Sequence, residues 1–514
     1  MIAKLPGEIL LEIFDFYRQS FEHQSSYERD WNNKNGWFKL AHVCHNWRSI
    51  VLTSSSRLQL RLFFTDRTPT RAAVLRGLPP LPIVVDYFNV AWTVGRLGSE
   101  NRLISALRYP NRVYKIAVTI TFSNHDTITK ALDCAFPILE ILEFHDTGSP
   151  ACPQFRFPPT FLMTSTKSLR RLKIPRATLT SLPPLLSATT ALVDLTLDID
   201  RVFSPPHWKG GSLLALLQNL SHLRHLDVSV RPFYVPHTRG LSPVKTVSLA
   251  ELTYFRFKGD PIQAEELVAG LATPSLQKLY VSLYRGNDAF HIPHLSVIIR
   301  NMGTPFYAAQ IKVSTGTYII SLLTHSHFID DPPLNIFTHG QSGIAQVSSE
   351  LSAMLANVED LFIAFYLPSI RPGSPLVNIA PFFEFFEQLH NVKILRVQHG
   401  LEMEVADILR AYNGQPTTNH PHLVSDGADL DATISSDIPI NPSRFNVGIF
   451  PSLEGIEVHP KFSGTQIPES ERASYLEPFE ELVTARQKAG RPVKVYCNTD
   501  QVLPPSFYHD ASLL

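Results

Sequence analysis

Apolar residues recur along this chain in the pattern x-h-x-x-h-x-h, where h is an apolar position. The pattern stands at Arg112–Val118 (RVYKIAV), Ile138–Phe144 (ILEILEF), Ser168–Ile174 (SLRRLKI) and Ala191–Leu197 (ALVDLTL). It continues at His222–Val228 (HLRHLDV), Glu251–Phe257 (ELTYFRF) and Ser275–Val281 (SLQKLYV), with successive copies starting 26, 30, 23, 31, 29 and 24 residues apart. Later copies are Asn357–Ile363, Asn391–Val397 and Ser452–Val458. The last two apolar residues of a copy are two apart, so they share one face of a strand. The first sits in the turn leading in and points the same way. Helical segments between copies can cover that apolar side. The clearest is Asp260–Val268, with Asp260 as N-cap and Pro261 at the first position; Ser212–Leu220, Ser348–Leu355 and Ala380–Leu389 are others.

One strand–helix unit cannot bury its apolar side alone, whereas stacked neighbours can. The expected fold class is therefore α/β, with a parallel sheet lining a curved solenoid over residues 55–510. An alternating α/β sandwich with a parallel sheet fits the same pattern. Between Val281 and Asn357 the rhythm weakens, and Gln310–Val313 and Asn335–Phe337 are expected as strands of degenerate repeats. Residues 412–446, rich in Asn, Asp, Ser, Thr, Pro and Gly, read as a mobile insertion. Residues 469–489 read as an amphipathic helix closed by Gly490 that shields the end of the solenoid, and Val493–Tyr496 as a last strand.

Ahead of the repeats the period changes. In Leu5–Phe14, Pro6 suits a first helical turn and Glu8 complements the helix dipole; Ile9, Leu10, Ile13, Phe14 and Tyr17 fall on one broad face. A second helix is expected over Trp37–Val51, where Leu40, Val43, Cys44, Trp47 and Val51 recur at helical spacing. Residues 19–36 between them read as a solvated insert. Leu58–Phe64 and Ile83–Tyr87 read as strands, with Thr70–Arg76 a short helix between them, so the repeats begin directly after this module at 1–54. The two helices carry more apolar surface than they can bury on each other. The surplus must meet the rest of the chain, as a helical cap, or a partner.

The order L-P-x-E-I-L-x-x-I-F, Leu5 to Phe14, followed by V-C-x-x-W-R, Val43 to Arg48, resembles the F-box, the adaptor-binding module of cullin-type ubiquitin ligases. The repeats resemble the irregular leucine-rich repeats found behind F-boxes in fungal proteins. The usual asparagine after L-x-x-L-x-L is absent: Pro175, Asp198, Ser229 and Lys258 stand in its place. The resemblance implies that Leu5, Pro6, Ile9, Leu10, Ile13, Leu40, Val43, Cys44 and Trp47 face a Skp-type adaptor, and through it a cullin. It implies a substrate-recognition subunit that makes no bond itself. A protein target would meet the strand positions between the last two apolar residues of each copy. Lys173, Asp227, Arg256, Tyr280, Phe362 and Arg396 are the candidates, a mixed-charge set with two aromatics that suits a protein better than a phosphate backbone. A leucine-rich-repeat scaffold or interaction protein without a ligase role is the alternative.

Composition narrows this further. Lys+Arg and Asp+Glu are both 46, which removes any global electrostatic case for nucleic acid or an anionic membrane. No stretch approaches the ~18 uninterrupted apolar residues of a membrane span, and the N-terminus lacks the apolar core of a signal peptide. The four cysteines include no C-x-x-C pair, which points to a reduced, intracellular protein, cytoplasmic or nuclear. His339–Gly343 approaches a G-x-S-x-G elbow, but the glycine after Ser342 is one place early. His325 and His327, and His420 and His422, have no cysteine or carboxylate cluster to complete a metal set. His222 and His225 lie within a repeat. No nucleotide-binding or zinc-protease motif is present. No enzyme activity, metal or cofactor is expected; an unrecognised hydrolase remains as a third reading.

Overall fold

A computed structural model describes residues 5–22, 36–65, 80–87, 103–121, 124–146, 157–177, 182–199, 210–230, 246–284, 291–314, 317–324, 332–339, 341–365, 382–398, 401–412, 450–459 and 476–497. Two compact units divide the chain: Met1–Thr253 with Gly270–Pro274, and Tyr254–Ala269 with Ser275–Leu514.

In the first unit, β1 (Leu62–Phe64), β2 (Ile83–Tyr87), β3 (Val113–Ile120), β4 (Ile141–Asp146), β5 (Arg171–Ala177), β6 (Asp194–Ile199) and β7 (His225–Val230) lie side by side in sequence order. All neighbours among them are parallel. A short parallel pair, β8 (Val247–Ser248) with β10 (Leu271–Ala272), stands apart. Each copy of the repeat ends in a strand, and its three apolar positions are buried. In one copy these are Leu192, Leu195 and Leu197; in the next, Leu223, Leu226 and Val228. The cover on that face is aromatic in places: Phe144 of β4 stacks on Phe157 at 5.8 Å, and Phe157 on Phe161 of helix Pro159–Thr164 at 5.5 Å.

The main chain ties each of several repeats to the one before it, ahead of the strands rather than at the positions of the missing asparagines. Just ahead of β4, β5, β6 and β7, and at Thr253, one amide bonds back to the preceding repeat. Glu140 N donates to Tyr114 O (2.9 Å), Arg170 N to Glu140 O (2.8 Å), Val193 N to Arg170 O (2.8 Å), Arg224 N to Val193 O (2.8 Å) and Thr253 N to Arg224 O (2.9 Å). Hydroxyls add to this ladder: Ser168 Oγ donates to Leu139 O, and Ser165 Oγ accepts from Phe136 N. Polar groups that would be orphaned between repeats are thereby satisfied.

The second unit holds β9 (Tyr254–Gly259), β11 (Lys278–Leu283), β12 (Ala308–Ser314), β13 (Thr317–Leu323), β14 (Leu334–His339), β15 (Asp360–Phe365), β16 (Ile394–Gln398), β17 (Gly455–His459) and β18 (Lys494–Cys497). Their order is β9-β11-β14-β13-β12-β15-β16-β17-β18. The expectation of a wholly parallel sheet needs correction here, because β13 runs antiparallel to both β12 and β14. The reason is chain length: Ser314 and Thr317 are too close in sequence for a crossover, so the chain must turn back. β13 itself was not expected. Its run Tyr318–Leu323 shows no alternation because both of its faces are buried.

Asp260 caps helix Pro261–Ala269 as its sequence predicts, its Oδ1 accepting from Ile262 N at 3.0 Å. From that helix Glu265 reaches the start of helix Pro293–Asn301 and accepts from His294 N and Leu295 N at 3.0 and 2.9 Å. The expected helix at 469–489 is shorter where described: a 3-10 turn, Glu477–Phe479, leads into Glu480–Lys488. Its Arg486 donates to Phe450 O at 2.9 Å. The first N-terminal helix runs on to Glu22, into the expected insert, and Tyr412 ends helix Glu402–Tyr412. Residues 23–35, Thr70–Arg76, 413–449 and 469–475, with His325, His327, His420 and His422, lie outside the described residues. Among the described residues no helix is long and apolar enough to cross a membrane.

The two faces of a repeat strand should differ sharply on mutation. Leu195→Ala, emptying a fully buried site, should cost about 2–5 kcal/mol in urea unfolding. Thr196→Ala, on the opposite and half-buried face, should cost roughly 0.5 kcal/mol or less.

Candidate functional site

The N-terminal module consists of α1 (Gly7–Glu22), α2 (Trp37–Val43) and α3 (His45–Thr53), all in the first unit. The single helix expected over Trp37–Val51 is broken at Cys44, whose backbone is extended (φ −159°, ψ 170°). Its Sγ accepts from Trp47 N at 3.4 Å and so caps α3. Arg48 Nε donates to Ala41 O at 2.9 Å, satisfying a carbonyl at the end of α2. The break takes Val43 out of the buried stripe and into solvent.

Trp37 anchors the module. It is buried, stacks on Phe38 at 4.1 Å and donates from Nε1 to Arg61 O at 3.0 Å, just ahead of β1. Phe14 of α1 meets Trp47 edge-on at 4.8 Å, and an exposed ion pair joins Arg57 to Glu12.

These contacts divide the apolar surface of α1 into two stripes. Leu10 and Phe14 are fully buried. One residue back from each, about 100° around the helix, Ile9 and Ile13 are 48% and 44% exposed, and Phe16, on the same side, is 76% exposed; Leu5, ahead of the helix, is 36% exposed. On α2, Val43 is 59% exposed. Taking half-exposed side chains of this size out of water is worth on the order of 1 kcal/mol each. Clustered residues of this kind mark interaction surfaces, unlike single exposed apolar residues.

The nine residues expected to face an adaptor therefore separate. Leu5, Pro6, Ile9, Ile13 and Val43 are exposed, and Cys44 and Trp47 are half-buried. Leu10 and Leu40 are corrected: both lie in the core, because the fold uses their stripe to seat the helices. Phe16 was missed. Its signal is the step of three from Ile13 and seven from Ile9, which completes the outer stripe.

On the repeat strands, Lys173, Asp227, Arg256 and Tyr280 are half-buried on the face away from the leucines. Phe362 is corrected: it is 1% exposed, with its ring 5.7 Å from His459. Arg396 is corrected as well, since it is mostly enclosed between two carboxylates. Its Nη2 lies 2.9 Å from Asp360 Oδ2 and its Nε 3.0 Å from Glu457 Oε2. Glu457 also accepts from Tyr496 Oη at 2.6 Å and lies 3.2 Å from His459 Nε2. Burial pushes Asp360 up to about 7, with Arg396 opposing and Glu457 adding to the rise. Burial also raises Glu457, but the hydrogen bonds from His459 and Tyr496 and the charge of Arg396 outweigh it and hold it at about 2. The first group of this network in the sequence, Asp360, carried no motif.

The strand-to-helix passage at His339–Gly343 has a packing explanation. Gly343 lies so close to Thr338 of β14 that a Cβ there would collide with the threonine hydroxyl. His222 pairs with Glu251 at 3.0 Å, and His225 opens β7. Among the described residues no group of three or more His, Cys, Asp or Glu is placed to hold a metal ion.

The carboxylates around Arg396 set opposite pH dependences. Asp360 is raised in the fold, so its contribution to stability is complete below its unfolded value of 3.8 and is lost as pH climbs through about 7. Glu457 is depressed, so its contribution is present above 4.5 and is lost as pH falls towards 2. Asp360→Asn should therefore flatten the fall in melting temperature between about pH 5 and pH 8. Parallel wild-type and variant melting curves over that range would contradict the assignment.

No family model and no curated protein matches the chain. Among solved structures it is similar to the leucine-rich repeat-containing protein LegL7 from Legionella pneumophila, at 11% sequence identity and a TM-score of 0.25. That match covers 82% of this chain and 97% of the other, and a likeness so slight carries no argument.

Proposed function

We propose that the N-terminal helices dock the Skp-type adaptor of a cullin-type ubiquitin ligase, and that the repeats hold the protein to be modified. The supporting observation is the outer stripe of α1, Ile9, Ile13 and Phe16, which stays in solvent while Leu10 and Phe14 seat the helix. A helix laid against another protein's groove is read at this spacing. The chain would make no bond itself. It would raise the effective concentration of target lysines near the ligase's loaded enzyme.

A second reading is a repeat interaction scaffold whose N-terminal helices only cap the first strand. The burial of Trp37 and its bond to Arg61 O favour it. The exposed stripe supports the first reading, since a cap has no use for it.

Co-purification with a Skp-type adaptor decides between them. Wild type should retain the adaptor. Ile9→Asp with Ile13→Asp, and Val43→Asp alone, should each cut recovery at least about tenfold, a loss of ~1.4 kcal/mol or more. Met163→Asp, at a site 70% exposed on helix Pro159–Thr164, should leave recovery unchanged. Leu10→Asp is no test, because a charge at that buried site reports on folding. Equal recovery from all variants, or none from wild type, leaves only the scaffold.

A further inference from the structure

We infer that β18 is a proton-held latch. A buried cluster on the face of β15, β16 and β17 away from the leucines keeps one exchangeable proton, and release of that proton loosens the edge strand that Tyr496 ties across it.

The register lines this face up in rows. Asp360, Ile394, Gly455 and Lys494 form one row, and Phe362, Arg396, Glu457 and Tyr496 the next. Strand β18 ends the sheet and pairs with β17 alone. Tyr496 supplies its side-chain tie, the hydroxyl donating to Glu457 Oε1 at 2.6 Å. The ring lies beside Gly455, where a Cβ would stand 3.5 Å from Tyr496 Cε1 and 3.6 Å from its Oη. The glycine thus leaves the ring its place, in the row that begins at Asp360.

The side chains of Asp360, Arg396, Glu457 and His459 are between 3% and 13% exposed. Glu457 is well served as an anion: besides Tyr496 it has Arg396 Nε at 3.0 Å and His459 Nε2 at 3.2 Å. Asp360 has Arg396 Nη2 at 2.9 Å, yet among the described residues neither of its oxygens accepts a well-aligned hydrogen bond. The other charged groups on this face of the neighbouring strands are Lys494 on β18, which is exposed, and Lys312 on β12, opposite Ala364 and so four residues along from Asp360. Arg396 therefore balances Glu457, and a second enclosed anion would leave the cluster negative at a cost in desolvation. The closed form avoids this by holding one proton, on Asp360 or, with Asp360 ionised, on His459. The rise of Asp360 to about 7 by burial agrees. Opening β18 lifts Tyr496 and lets water reach the carboxylates, so Asp360 falls back towards 3.8 and gives up the proton. Because the closed form holds the proton more tightly, the latch loosens by up to about tenfold per pH unit as pH rises from 5, and levels off above about 7. Glu457, ordinarily at 4.5 and held at about 2, is charged in both forms over this range and adds little slope.

The test is amide hydrogen exchange of the full chain by mass spectrometry, with the rate of the peptide carrying β18 divided by its unstructured rate at each pH. In wild type this protection should fall about thirtyfold or more between pH 5 and pH 7 and change little from pH 8 to pH 9. The peptide carrying β6, in the first unit, should hold level over the same range. Asp360→Asn, which needs no proton to stay neutral, should make β18 protection independent of pH. Tyr496→Phe should lower β18 protection severalfold at both pH 5 and pH 7, and it keeps the test open should Asp360→Asn fail to fold. Level protection of β18 in wild type would overturn the inference. So would a slope that survives in Asp360→Asn, no effect of Tyr496→Phe, or an equal fall at β6, which would mark general unfolding instead of a latch.

Discussion

Each repeat places its leucines on one side of its strand, and the main chain of the turn before that strand is bonded to the turn of the repeat before it. In the first unit this ladder runs from Tyr114 to Thr253. In the second it runs from Tyr307 through Glu359, Lys393 and Glu454 to Lys494, at 2.7–3.0 Å. A buried amide without a partner costs more than a typical hydrogen bond contributes. The ladder therefore fixes the register of one strand against the next, and with it which side chains leave the core. Spacer lengths vary because the ladder needs only the turn and the strand, and the connecting segments are free to differ.

That constraint gives the N-terminal helices their meaning. The repeat helices Pro159–Thr164 and Pro293–Asn301 each expose a single large apolar side chain, Met163 and Val297. α1 exposes three at helical spacing. It is seated by Leu10 and Phe14 and still carries Ile9, Ile13 and Phe16 outside. The break at Cys44 does the same on the second segment, where it releases Val43. Apolar side chains left exposed at helical spacing beside a well-seated stripe contribute little to the folding of the chain that carries them. A second protein that covers them would gain what the fold leaves unused, less the cost of association.

The repeats were legible because L-x-x-L-x-L states its own geometry: two residues share a face, and a third leads in. Every copy ends in a strand for that reason. β13 was not legible, since an uninterrupted apolar run buried on both sides has no period to read. On α1, the residue types and the spacing could be read, but the sides could not. Ile9 and Leu10 are both apolar and adjacent, and only the contact of Phe14 with Trp47 decides which one faces inward. Phe362 and Arg396 failed for a different reason. The rule that alternate strand positions face outward holds for them, but from β12 to β16 several outward positions are enclosed, as Gln310, Ser321 and Asn335 also are, whereas Arg256 and Tyr280 on β9 and β11 are only half-buried. An arginine placed there is held by carboxylates on the neighbouring strands, Asp360 and Glu457, and has little surface to offer a target.

The central claim is that apolar surface on α1 and α2 is left over after folding and is taken up by another protein. Amide hydrogen exchange of the full chain, with and without a purified Skp-type adaptor, reads this directly. The account predicts slowed exchange confined to the residues of α1, α2 and α3, with the repeat strands unchanged. Exchange that the adaptor leaves unaltered throughout, or slows only in the repeats, would contradict it.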